Sequence, residues 1–123
     1  MSGEIDFLAD TNTILYIFQK EPCVAPYVKK LFGVSIITEI EALCYKNLST
    51  EEEKKIRILL NDCQLFGLDN LVKEEAIRIR KIYGTKLPDA IVAATAIVNN
   101  LTLLTADKGF NKIKELNMIL LQP

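Results

Sequence analysis

Four acidic residues stand at positions where a chain usually places chemistry. Asp10 closes an apolar run, Glu41 lies early in a helical segment, Asp89 follows Leu87-Pro88, and Asp107 follows a second apolar run. Histidine is absent, which removes imidazole acid–base catalysis, Ser-His and Cys-His nucleophile pairs, and His-ligated zinc. Cys23, Cys44 and Cys63 are odd in number and widely spaced. They fit reduced, partly buried thiols rather than a disulfide framework or a thiolate zinc site. Any catalysis therefore rests on carboxylates, lysines, hydroxyls or a hard metal ion.

Each acid also has an ordinary structural explanation. Asp10, before Thr11-Asn12, suits the N-cap of a helix. Thr38-Glu39-Ile40-Glu41 matches a capping box with Thr38 as cap and Glu41 at N3, while Glu39 projects to another side and reads as solvated. Asp107, in Thr105-Ala106-Asp107-Lys108-Gly109, suits a turn. Asp89 is the hardest to explain this way. Pro88 reads as the first helical residue and Asp89 as the second, where the helix dipole favours an anion by roughly 0.3–1 kcal/mol. The helix that follows, Ala90-Ile91-Val92-Ala93-Ala94-Thr95-Ala96-Ile97-Val98, has no charged face and must be covered on both sides.

If the four acids converge, their mutual repulsion raises their proton affinity, and a divalent cation relieves it. An all-oxygen ligand set selects Mg²⁺ or Mn²⁺ over zinc. Such an ion keeps open positions for a phosphate oxygen and a water, which points to phosphodiester or phosphomonoester hydrolysis.

The elements that must position these acids follow from hydrophobic periodicity. Short β-rich runs at 5–9, 33–37, 64–68, 101–105 and 117–121 alternate with helical patterns at 12–18, 24–31, 38–46, 51–62, 71–83 and 88–99. That alternation predicts an α/β fold of three layers, α/β/α, around a central, mainly parallel sheet of about five strands. Ser49-Thr50 before Glu51-Glu52-Glu53 reads as a helix start, and Tyr83-Gly84 as a helix end. In such sheets ligands bind beyond the strand ends, where all four acids are expected.

The 123 residues, without repeat, linker or low-complexity tract, read as a single domain spanning 1–123, with little or no tail after the last strand. No run approaches a membrane span and no signal peptide is evident, so a cytoplasmic location without membrane association is expected. The net charge of -1 does not by itself advertise a nucleic-acid partner.

Taken together, these motifs resemble the PIN-domain ribonucleases, and specifically the VapC-type toxins of bacterial and archaeal toxin–antitoxin pairs. The resemblance is carried by Asp10-Thr11-Asn12, by VSIITEIEALCY at 34–45 with Glu41 as the second acid, by LPDAIVAATA with Asp89 as the third, and by LLTADKGF with Asp107 as the fourth. It implies a Mg²⁺- or Mn²⁺-dependent endoribonuclease that hydrolyses RNA with metal-activated water. Asp10, Glu41, Asp89 and Asp107 would be the catalytic and metal-binding residues, with Asn12 and Thr105 in support. A cognate antitoxin and a homodimer are the implied partners. Gly109 stands where many relatives carry another acid, which favours one resting metal ion over two.

Lys86, Lys108, Lys112, Arg78, Arg80 and Lys81 flank the motifs as candidate phosphate contacts, although most of them read as solvated surface. Two other readings remain open. Asp10-Thr11-Asn12-Thr13 nearly matches the D-x-D-x-T motif of haloacid-dehalogenase phosphatases, with Asn12 where the second acid belongs. A catalytically degenerate PIN-like interaction domain is the other.

Overall fold

Side chains alternate between the two faces of a strand, and in this chain both faces are apolar. The computed structural model describes residues 4–123. Its five strands are β1 (Phe7–Ala9), β2 (Phe32–Ser35), β3 (Gln64–Phe66), β4 (Thr102–Thr105) and β5 (Met118–Leu120), in the order β3-β2-β1-β4-β5. Every neighbouring pair is parallel. Leu8 and Leu103 turn to one face and Ala9 and Leu104 to the other, all fully buried. Such two-sided burial is what a parallel sheet requires.

The helices supply the covering layers. Helices α4 (Asn70–Tyr83) and α5 (Leu87–Val98) close the Leu8–Leu103 face through Ile79, Ile91 and Ala94. Helices α1 (Thr11–Gln19), α2 (Ile36–Leu43) and α3 (Thr50–Asn61) cover the other face with Ile14, Ala42 and Ile56. Burying each large aliphatic side chain is worth roughly 1.5–3 kcal/mol relative to leaving it exposed. The three-layer α/β/α sandwich expected from periodicity is the observed fold. Helix α5 is buried continuously from Ala90 to Ala96, as a helix without a charged face must be.

Several boundaries differ from the periodic reading, each for a local reason. Ile36 and Ile37 look like the end of a strand, yet they open α2, because the Ser35 hydroxyl accepts the Ile37 N–H (3.1 Å) and takes the N-cap. The 24–31 helical pattern gives way to a 3₁₀ turn at Pro22–Tyr27, where Pro22 and Pro26 lack the N–H groups that α-helical bonding uses. Helix α5 begins at Leu87, so Pro88 is its second residue and Asp89 its third. The Ser49 cap forms a full capping box with Glu52, and Gly84 ends α4 in the left-handed conformation (φ 65°) with its N–H donating to Arg80 O.

Candidate active site

Because β1 and β4 are adjacent and parallel, Asp10 and Thr105 meet at the C-terminal edge of the sheet. Asp10 caps α1: its Oδ1 accepts the Thr13 N–H (2.9 Å) and its Oδ2 accepts the Thr105 hydroxyl. Thr105 is fully buried, and its Oγ1 also accepts the Asp107 N–H (3.0 Å). One hydroxyl thus ties the first acid to the backbone of the fourth. Thr13 anchors the start of α1 from the other side by donating to Leu104 O (2.7 Å).

Glu41 does not form the expected capping box. The N-cap of α2 is Ser35, which leaves Thr38 buried in the first turn and Glu41 in the second. Freed of capping, the Glu41 carboxylate crosses to α1 and accepts the Thr11 hydroxyl (2.7 Å). Glu39, two residues earlier, is half-buried and lies apart, beside Arg57 and Leu60. Asp107 closes its turn by accepting the Gly109 N–H (2.8 Å). Gly109 matters here for space: a Cβ at this position would meet Asp107 Oδ1 at 3.0 Å.

All four acids line one open cleft of about 770 Å³, together with Thr11, Asn12 and Val92. The loop from Cys44 to Asn47 also lines it; Cys44 and Tyr45 end the 34–45 motif without a predicted role, and Lys46 and Asn47 lie outside every motif. Cys44 is exposed, contrary to the expected partial burial, whereas Cys23 and Cys63 are half-buried. Of the two supporting residues, Thr105 bonds directly to Asp10, and Asn12 is exposed in the cleft lining. Thr11 was missed as a partner for Glu41 although it adjoins Asp10, since only the packing of α1 on α2 brings it there.

The charges in the cleft oppose one another. Burial pushes the Asp10 carboxyl above the ordinary carboxylate range, against the hydrogen bonds from Thr105 and Thr13, and Asp107 adds to the rise. Burial also raises Asp89, and the charges of Asp107, Glu41 and Asp10 reinforce it, with Lys86 opposing. Among the described residues no three acidic or other ligating side chains are gathered closely enough to hold a metal ion as they stand. Each of Asp10, Glu41 and Asp107 spends at least one oxygen on a neighbouring donor. The donor set still fits a hard divalent cation, being all oxygen, mutually repelling and partly desolvated.

The flanking basic residues divide. Arg78 is committed to Glu75 (2.6 Å) and Glu115 (2.7 Å), and Arg80 Nε donates to Thr85 O. Lys86 and Lys112 line a smaller pocket that adjoins the cleft at Asp89 and Asp107.

Residues 7–116 match the PIN domain family. The chain belongs to that family, whose members are generally metal-dependent nucleases. No curated protein matches it in sequence. Among solved structures it is similar to a toxin–antitoxin complex from Klebsiella pneumoniae (TM-score 0.80, 25% identity, 93% of this chain and 96% of that one). It is also similar to VapBC2 from Rickettsia felis, bound to a DNA fragment from the promoter (TM-score 0.79, 18% identity, 96% and 100%). A third similar structure is VapBC-1 from nontypeable Haemophilus influenzae (TM-score 0.77, 21% identity, 94% and 98%). The likeness to these solved structures is one of fold. The phosphatase reading has no support from these matches. Among the described residues no helix is long and apolar enough to cross a membrane.

Proposed function

We propose that this PIN-domain chain is a Mg²⁺- or Mn²⁺-dependent endoribonuclease and acts as the toxin of a type II toxin–antitoxin pair. The observation that carries the reading is the convergence of Asp10, Glu41, Asp89 and Asp107, from four separate parts of the chain, on one cleft beyond the strand ends. In this reading 1–123 is one nuclease domain.

Asp10, Glu41, Asp89 and Asp107 would hold the cation. When bound, a divalent ion supplies positive charge to phosphate oxygens and acidifies a water. The chain's own residues do the positioning. Thr105 and the Thr13 N–H fix the Asp10 carboxylate, Thr11 fixes Glu41, and the buried α5 presents Asp89 from a rigid base. Freedom lost before the reaction is not lost during it, which is how such supports contribute to rate.

The partner in this reading is a cognate antitoxin, supported by the toxin–antitoxin composition of the similar structures. Homodimerisation belongs to the same proposal, and exposed Leu68, Leu71 and Ile82 offer apolar surface for contact. A cytoplasmic location accompanies it. The test is incubation of a total-RNA pool with Mg²⁺ or Mn²⁺, wild type beside Asp89→Asn, followed by sequencing of the cut ends. Discrete new ends with wild type alone support the proposal. Absence of cleavage together with absence of Mn²⁺ binding would assign the chain to the degenerate, non-catalytic class.

A further inference from the structure

The cleft that holds the four carboxylates also has an aromatic and a basic residue in its lining, Tyr45 and Lys46. Among the described residues that line the cleft, Lys46 is the only basic one beside the four carboxylates. Beside it, Tyr45 is half exposed, a large aromatic ring displayed in a charged cleft. Both belong to the connection between α2 and α3.

That connection is held at each end. The Cys44 N–H donates to Ile40 O (3.0 Å) and Glu41 O (3.3 Å), which ties the start of the loop to the last turns of α2. At the other end Leu48 packs into the core, and Ser49 is locked in its capping box with Glu52. Between them Asn47 turns the chain in the left-handed region (φ 64°), which asparagine tolerates better than most residues. Tyr45 and Lys46 are thus presented from a short, doubly anchored loop, at a position set relative to Glu41 by α2 itself.

A polyanion entering this cleft meets carboxylate repulsion. It gains attraction from Lys46, from Lys86 and Lys112 in the adjoining pocket, or from a bound metal ion. An aromatic face next to a lysine is the pairing that holds an unstacked base and its phosphate, since every base offers a π-face and no base-specific hydrogen bond is needed. A base within a duplex is already stacked on its neighbours and cannot take this place without being extruded.

We propose that Tyr45 and Lys46 form a nucleotide-holding subsite in which an unpaired base stacks on Tyr45 and its phosphate pairs with Lys46. The inference rests on the ribonuclease reading and adds to it a specificity-determining residue, Tyr45, outside the acidic cluster.

The test compares Tyr45 with Tyr45→Phe and Tyr45→Ala. Binding of a short labelled single-stranded RNA is followed by fluorescence anisotropy in an Asp10→Asn background, to prevent cleavage. Steady-state cleavage is measured in the otherwise native chain. Tyr45→Ala is expected to weaken binding about tenfold or more and Tyr45→Phe by about twofold or less, because stacking needs the ring and not the hydroxyl. In cleavage, Tyr45→Ala should raise KM by a similar factor with kcat nearly unchanged, and a duplex competitor should bind poorly to all three.

Unchanged binding and KM in Tyr45→Ala would overturn the inference while leaving the ribonuclease reading intact, and would assign the loop to some other contact. A Phe variant as impaired as the Ala variant would also overturn it, since the hydroxyl would then be what matters. Ring-dependent binding of single strands with no cleavage by the native chain would sustain the subsite and sink the ribonuclease reading.

Discussion

Replacing Thr105 by valine tests how tightly the candidate site is built into the fold. The side chain is fully buried, and its hydroxyl makes two bonds: it donates to Asp10 Oδ2 and accepts the Asp107 N–H. Valine keeps the shape and removes both. A hydrogen bond to a charged group contributes about 1.5–3 kcal/mol and a neutral one about 0.5–1.5 kcal/mol. The extra buried methyl returns roughly 0.8 kcal/mol, so the net loss is about 1–4 kcal/mol. For 123 residues at about 2.1 cal/mol/K per residue, each 1 kcal/mol shifts Tm by roughly 4 °C. The expected fall is therefore about 5–15 °C by circular dichroism or calorimetry. RNA cleavage should fall with it, because Asp10 and the Asp107 turn lose their shared anchor. Thr105→Ser retains the hydroxyl and should keep most of the activity while losing only packing. A Tm within about 3 °C of wild type, with undiminished cleavage by the valine variant, would refute the reasoning.

Other perturbations probe separate links. Burial and the neighbouring carboxylates hold Asp89 above its ordinary value of 3.8. The folded state therefore binds that proton more tightly than the unfolded chain, and the associated stability, complete below 3.8, is lost as pH rises through the raised value. In EDTA, Asp89→Asn should accordingly gain stability over wild type as urea titrations move from acidic to neutral pH, and Mn²⁺ should close the gap by stabilising wild type alone; a constant difference at all pH values would contradict this. Gly33→Ala would place a Cβ 2.5 Å from Phe66 Cε2 between β2 and β3, and overpacking of this kind costs about 1–3 kcal/mol, readable as a lower urea midpoint. Ser49→Ala removes the capping box of α3 and should cost about 1 kcal/mol in the same measurement.

The parts of this molecule legible in its sequence are those governed by short-range physics. Strand and helix alternation, the Ser49 cap, the Gly84 stop and the fully buried α5 all follow from periodicity and local backbone chemistry. The helix around Glu41 was harder, because two start signals overlap: Thr38-x-x-Glu41 imitates a capping box, and the β-branched Ile36-Ile37 hides the true cap at Ser35. The prolines that reduce the 24–31 pattern to a 3₁₀ turn were visible, but their effect was outweighed by the apolar spacing.

The candidate site was legible as a set of positions and not as a geometry. Strand order, which joins β1 to β4 across more than ninety residues, is what brings the Thr105 hydroxyl to Asp10. The Thr11–Glu41 bond depends in the same way on helix packing. Tyr45 ends the 34–45 motif without a role the spacing could assign and Lys46 lies beyond it, so only the lining of the cleft singles them out.

The central claim is that Asp10 and its companions cleave RNA with a divalent ion. Its most direct test is the cleavage rate of one RNA substrate as Mn²⁺ is titrated, for wild type and for Asp10→Asn. No cleavage is expected in EDTA, the wild-type rate should rise and saturate with Mn²⁺, and the variant should lose about a hundredfold or more, as when a group positioned at the reacting atoms is removed. Cleavage that persists in EDTA, or an Asp10→Asn rate equal to that of the wild type, would contradict the claim.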